Sequence, residues 1–356
     1  MAHPGDPNQP DFPQTPWIVI PYWGGVGASA DQGRADQRPL PPSPTPGPSA
    51  NSSVASWACE SIRVGGGGPA DVFTPDVPTT ISIDVRDYGR GSVLDVVIID
   101  LWWAAPTPSF GFVTMNPPMA QAVGALSRDG TGALPPLTST VEITIEAKYG
   151  QHVCLLARAT TVADTTPVSP PNPLGDRHWA QRNLHVVTPT GGGKFHLTFN
   201  VGNATRRQAA YTVRAQPVRR RALDFLARQV GAVPLPADGV ALAIRPTLAS
   251  LLDIPQRRVE RGATVFELPV TLKPRRRLAL TLEGQLARPV APGHFVAFEV
   301  AQIPAGDGEQ DAGRERDSGA ARDPERDPAR GRVRPHRDVA PPAGGSLGVV
   351  VLGRRA

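Results

Sequence analysis

The side chains that could do chemistry are few and scattered. Seven histidines and two cysteines are spread over 356 residues. His178 and His185 stand seven apart, and His152 could approach them in space to complete a zinc site. Ordinary strand-edge histidines explain the same three residues, and that is the expectation. TGGGKF (Thr190 to Phe195) has the glycines of a phosphate loop, but such a loop needs Gly at 188 and Ser or Thr at 195. Thr188 and Phe195 stand there instead, and a strand follows where a helix is required. The Gly65–Gly68 run lacks a strand–helix setting too and reads as linker or bulge. Asp176 and His178 could serve a serine nucleophile, yet no GxSxG, HExxH or HRD motif is present. The expectation is a protein that is not an enzyme and holds neither cofactor nor metal.

Two other groups of side chains suit binding. LWWAAPTPSFGF (Leu101 to Phe112) places Trp102, Trp103, Phe110 and Phe112 close together. One face of a strand points inward and takes one Trp with it; the other Trp, with Phe110 and Phe112, would leave an apolar patch for protein or glycan contact. The second group is Arg219, Arg220 and Arg221 with Arg275, Arg276 and Arg277. Residues 1–52 carry a net charge of −2, 53–190 of −4, 191–304 of +10 and 305–356 of +1, so the basicity sits in one segment. With 34 Arg against 3 Lys, a GC-rich genome accounts for the choice of cation but not for its placement. A patch of this sign fits a protein partner or self-association by opposite charge, or a polyanion such as nucleic acid, acidic glycan or an anionic surface. No aromatics are interleaved with these arginines to stack on RNA bases, which weakens the nucleic-acid case.

The elements that must position these groups are short. The chain has 41 Pro and 36 Gly, a density that excludes long helices and coiled coils. No apolar run reaches 18 residues, so no membrane-spanning helix is expected. Residues 1–52 read as a Pro-rich disordered arm without a signal-peptide pattern, which leaves the compartment open. Within it, Trp17, Ile18, Val19, Ile20, Tyr22 and Trp23 would either fold back as a stray strand or dock on a partner's sheet edge.

From Ser56 to Thr188 short alternating runs between turn signals predict an all-β sandwich. Ile81, Ile83 and Val85 alternate with polar residues, whereas Val93 to Ala104 is apolar on both faces, as in a central strand covered on both sides. A last strand is expected near Asn183 to Val187, with HWAQRN (His178 to Asn183) as a hinge. The second half repeats the scheme: IDVRDYGRG (Ile83 to Gly91) aligns with FNVGNATRR (Phe199 to Arg207) at an offset of 116. ALDFLARQVG (Ala222 to Gly231) is a helix candidate, with Leu223, Leu226 and Val230 on one face and Gly231 as its cap. Residues 305–345, with 8 Arg and 9 acidic residues, are predicted to be a disordered charged insertion. The expected architecture is therefore two tandem immunoglobulin-like β-sandwiches, 53–190 and 191–353, behind the arm.

The runs IDVRDYG…VLDVVII and FNVGNAT…AYTVRAQ resemble the V-x-V-x-N-x-G pattern of bacterial immunoglobulin-like modules of the cell-adhesion-related (CARDB-type) family. Asp87 stands where that pattern has Asn. The resemblance implies adhesion, spacing or partner binding and supplies no catalytic residues; an accessory module of a separately encoded hydrolase is a further alternative. Cys154 falls where immunoglobulin domains place the second cysteine of their bridge, but Cys59 is on the first strand rather than the second. Two free thiols are expected rather than a bridge.

Overall fold

A computed structural model describes residues 15–22, 55, 57–65, 76–89, 93–115, 117–128, 135–146, 153–168, 171–173, 175–190, 192–218, 220–237, 240–247, 265–305 and 345–353. The charged insertion expected at 305–345 and most of the expected arm lie outside these residues. The first half contributes β1 (Ile18–Val19), β2 (Ile62–Val64), β3 (Pro78–Asp87), β4 (Leu94–Ala104), β5 (Ala120–Ser127), β6 (Leu137–Thr144), β7 (Cys154–Thr160) and β8 (Trp179–Arg182). The second contributes β9 (Leu184–Val187), β10 (Lys194–Gly202), β11 (Ala209–Pro217), α1 (Arg220–Val230), β12 (Val233–Pro234), β13 (Ala241–Pro246), β14 (Phe266–Leu272), β15 (Arg277–Gln285), β16 (His294–Pro304) and β17 (Gly345–Leu352).

In the first sandwich β5-β4-β7-β8 forms one sheet, and β3 forms the other with β6 on one side and β2 and β1 on the other. The second sandwich pairs the sheet β14-β11-β16-β17-β9 with β10-β15-β13. The order β14-β11-β16-β17 reproduces β5-β4-β7-β8, all antiparallel, and β10-β15 reproduces β3-β6. The all-β tandem sandwich expected from the alternation is thus present.

The alternation explains which faces are buried. Ile81, Ile83 and Val85 of β3 meet Val97, Ile99 and Leu101 of β4 in the first core. The opposite face of β4 is covered only toward its far end, where Trp102 packs with Trp179, Leu156, Cys154 and Val113 of the 3-10 helix Phe110–Met115, while Leu94 and Val96 are exposed. Asp100 shares that face and is 1 % exposed; Arg158 Nε donates to its Oδ2 at 3.0 Å and Gln121 Nε2 to its Oδ1 at 2.7 Å. A buried carboxylate is tolerable only when so satisfied.

Two expectations change, and one open choice is decided. Within the expected arm residues 15–22 fold back as a strand, the first of the two readings above: β1 lies against β3, pairing Ile18 with Asp87 and Val19 with Arg86. The stretch Leu184–Val187 does not end the first sandwich but runs parallel to β17 in the large sheet of the second. His178 to Asn183 is no hinge, because all six residues are buried and β8 bonds to β7. The helix does form, yet its apolar face serves both sandwiches. Ala222, Leu226 and Val230 join the first core together with Phe295, Ala297 and Val350 from the outer face of the second sandwich's large sheet. Trp57 completes the junction: it packs on Gly348, where a Cβ would strike its ring, and its Nε1 donates to Glu299 at 3.1 Å. No pivot separates the sandwiches here.

Candidate functional site

At one end of the second sandwich two loops are tied into a single base by Asn203. Its Oδ1 accepts the Thr205 amide at 3.0 Å in an Asx turn, and its Nδ2 donates to Arg207 O at 2.7 Å and Leu272 O at 2.9 Å. Its own amide donates to Arg276 O at 2.9 Å. The turn from β14 to β15 closes with the Arg276 amide on Lys273 O at 3.2 Å, and it holds Arg275 at φ 53°. That is the left-handed region, which Gly enters freely and which costs an arginine about 1 kcal/mol. From this base Arg206, Arg207, Lys273, Arg275, Arg276 and Arg277 all extend into solvent.

The other predicted triplet is elsewhere. Arg219 lies outside the described residues, and Arg220 and Arg221 open α1, whose side chains there are not described. β11 runs from the loop carrying Arg206 and Arg207 to that helix, so the start of α1 and the turn carrying Arg275 to Arg277 stand at opposite ends of a nine-residue strand. Spacing along the chain gave no hint of the Arg206–Arg207 contribution; the offset-116 alignment, which ends on Arg207, was the available signal.

The aromatic patch does not assemble as expected. Trp102 is fully buried against Trp179, their centroids 5.6 Å apart with the Arg158 guanidinium beside both rings. Phe112 is buried too, filling the space beside Gly202 and lying under Arg277 at 4.5 Å. The second sandwich takes the surface that the patch needed. Phe110 begins the 3-10 helix and its side chain is not described. Only half-buried Trp103 faces a cleft, of about 120 Å³, which it lines with Phe112, Met119, Asn200 and Arg277 between the sandwiches.

Buried polar clusters account for the remaining reactive residues. Cys154, Asn183 and His185 meet as a nucleophile, an amide and an imidazole: the thiol bonds Asn183 Oδ1, and His185 Nε2 is 3.2 Å from that oxygen and 3.9 Å from the sulfur. Burial drives the Cys154 thiol far above its ordinary pKa, only partly opposed by the Thr107 amide, so the nucleophilic thiolate is disfavoured. Asn183 Nδ2 instead ties Thr107 O at 2.8 Å to Ser346 O at 3.1 Å, a link between the sandwiches. Both cysteines are free and buried in different cores.

His178 does not reach His185, and His152 lies outside the described residues. His178 is held between Asp176, 2.7 Å from Nδ1, and Asp164, 3.0 Å from Nε2. Burial lowers its pKa, but the hydrogen bonds to the two carboxylates outweigh this and raise it. Burial would lift Asp164 and Asp176, and the bonds from His178 and its neighbours hold both below the usual range. No group of three metal-binding side chains suited to an ion occurs among the described residues. The glycines of TGGGK do a backbone job: Gly192 and Gly193 take φ 82° and 78° in the turn from β9 to β10. No described helix is long and apolar enough to cross a membrane.

No protein-family model matches the chain, and no curated protein matches it. Among solved structures it is similar to the collagen adhesin of S. aureus, at 10 % identity over 84 % of this chain and 93 % of that one, with a TM-score of 0.24. It is also similar to the CupB6 tip adhesin of Pseudomonas aeruginosa, at 8 % identity over 80 % and 93 %, with a TM-score of 0.20. At these scores the likeness is too slight to carry an argument about partner or activity.

Proposed function

We propose that the chain is a non-catalytic binding protein that docks the loop end of its second sandwich on an acidic surface of a protein partner. One observation carries this reading: six cationic side chains stand exposed on one braced base. No Asp or Glu occurs in residues 200–213 or 268–282 to neutralise them. Five of the six are arginines, whose planar fork grips carboxylates in pairs and sheds water more readily than lysine. Bracing by Asn203 lowers the ordering cost of binding. The left-handed Arg275 adds support, since a cation occupies a place where folding alone favours glycine. The role agrees with the partner binding implied by the cell-adhesion-related resemblance.

The test compares the wild type with R275E/R276E/R277E on immobilised poly-L-glutamate, heparin and duplex DNA. The wild type should be retained on polyglutamate and released steeply as salt rises, with the variant at least tenfold weaker and its Tm within a few degrees. Preference for heparin or DNA would turn the reading to a polyanion ligand. Undiminished binding of the variant would refute it.

A further inference from the structure

The N-terminal segment 15–22 is bound to its own protein as a separate peptide would be. Ile18, Val19, Ile20 and Tyr22 are fully buried. Its backbone is held by groups distant in sequence: the Trp17 amide donates to Asp87 Oδ1 at 2.8 Å, and the Ile18 amide to Asp164 Oδ2 at 2.6 Å. The Ile20 amide donates to Arg177 O at 3.0 Å, while Pro21 O accepts from Ser61 and from Cys59, the latter at 3.3 Å. The Tyr22 hydroxyl accepts the Gln181 amide at 3.2 Å. Trp17 lies under the Arg177 guanidinium at 3.7 Å. Alternate side chains enter the core while main-chain bonds fix the register, which is the mode by which sheet edges take peptides.

The connection to the rest of the chain is longer than the geometry needs. Cys59 touches Pro21 although it follows 38 residues later, so the chain leaves the groove at Tyr22 and returns beside it by Ala55. The sequence between Tyr22 and Ala55 is long enough to reach another molecule. We infer that segment 15–22 is an exchangeable strand, and that the groove on the first sandwich also accepts the same segment of a second copy. Every contact made within one molecule is made again in the exchanged pair, so exchange sacrifices no contact energy and is set by concentration. A strand given to a neighbour that gives its own onward would link copies into chains. This inference is independent of the basic end, whose docking is weakened by salt.

The trap uses full-length chains. Val19 opposes Arg86 in the antiparallel ladder, so cysteines at the two places can bond. V19C and R86C chains, mixed at high concentration in mild denaturant and returned to buffer under oxidation, should give a covalent heterodimer linked 19 to 86. The V19C/R86C double variant should close within one molecule and shows that the pair can form. Internal closure of the double variant without any 19–86 bond between chains would overturn the inference. Should the double variant not close, native mass spectrometry of mixed light and heavy wild-type chains decides. Mixed dimers that dissolve on adding a synthetic peptide of residues 15–22, and not on adding salt, support exchange. Monomers alone, or dimers indifferent to the peptide, overturn it.

Discussion

Asp87→Ala should destabilise the protein by about 2 kcal/mol, and Asp87→Asn by less than about 0.5 kcal/mol. Asp87 is 3 % exposed, and its Oδ1 accepts two amides at 2.8 Å, from Trp17 in the strap and Gly89 in the turn. A hydrogen bond to a charged acceptor contributes about 1.5–3 kcal/mol, so two would contribute roughly 3–6 kcal/mol. Burial of the carboxylate offsets much of this. It is the foremost influence on Asp87, and with nearby Asp95 it raises the pKa despite the two amide bonds. Asparagine keeps Oδ1 and discards the charge, and its Nδ2 takes the place of Oδ2 beside the Asp95 carboxylate, which can accept from it. The raised pKa also fixes the sign of the pH dependence. A carboxyl whose folded pKa exceeds its unfolded value weighs against folding at neutral pH, and that penalty vanishes as pH falls through the raised value. Relative to the wild type, Asp87→Asn should therefore look best at pH 7 and lose its relative advantage towards pH 4. Guanidinium titrations of the three proteins at several pH values measure this, with limited proteolysis reporting release of residues 15–22. Equal damage from Ala and Asn, or none from Ala, would refute the claim that this oxygen anchors the strap.

Further outcomes follow from the same contacts. His178 has a raised pKa, so its contribution is full below about pH 6.5, its ordinary value, and is lost as pH climbs through the raised value. Asp164 and Asp176 are lowered, so theirs is present above about pH 3.8 and lost as pH falls through their depressed values. Thermal melts should thus be highest between these limits, and His178→Gln should flatten the alkaline side and weaken the acid side too, since His178 helps to lower both carboxylates. Asn203→Asp should cost more than about 2 kcal/mol in chemical denaturation, because a carboxylate cannot donate to Arg207 O and Leu272 O and would face them as an acceptor. A melt unchanged in that variant would mean that the two basic loops are not braced through Asn203.

The parts legible in the sequence are those decided by local pattern. Ile81, Ile83 and Val85 alternate because one face is wet, whereas the apolar run Val93 to Ala104 is covered on both faces only at its Trp102 end, and Val93, Leu94 and Val96 stand exposed. Leu226 and Val230 lie on the expected helix face, although periodicity cannot say that it packs into the first core against the outer face of the second sandwich's sheet. Pairings between distant residues left no trace of this kind. Nothing in WIVIPY specifies Asp87 or Asp164 as its partners, and nothing in LHVV separates an end strand of one sandwich from the parallel edge of the next. The Arg triplets looked alike as composition, and only the length of β11 reveals that they stand far apart. Burial of Trp102 follows from one strand face pointing inward, but that of Phe112 does not: a surface that alternation leaves open within a sandwich is closed here by Gly202 and Arg277 of the neighbouring one.

Asp87 and Asn203 occupy the same place in the two sandwiches, at the end of β3 and of β10, and both accept the amide two residues on at the start of the turn. They differ by one group, and the neighbour of each differs with it. A carboxylate only accepts, so the neighbour of Asp87 must bring an amide, and an arriving strand with the Trp17 N–H forward does so. A carboxamide also donates, so the neighbour of Asn203 must bring carbonyls, and the bend after β14 presents Leu272 O. The acid therefore recruits a strand from the start of the chain and seals the first sandwich. The amide recruits a hairpin bend and leaves the tip of the second sandwich uncovered. That tip carries Lys273 and Arg275 to Arg277, held outward by the bond that fixes the bend. At Asp87 the end of the first sandwich is closed by the protein's own segment, and at Asn203 the bend of the second leaves these cationic side chains exposed.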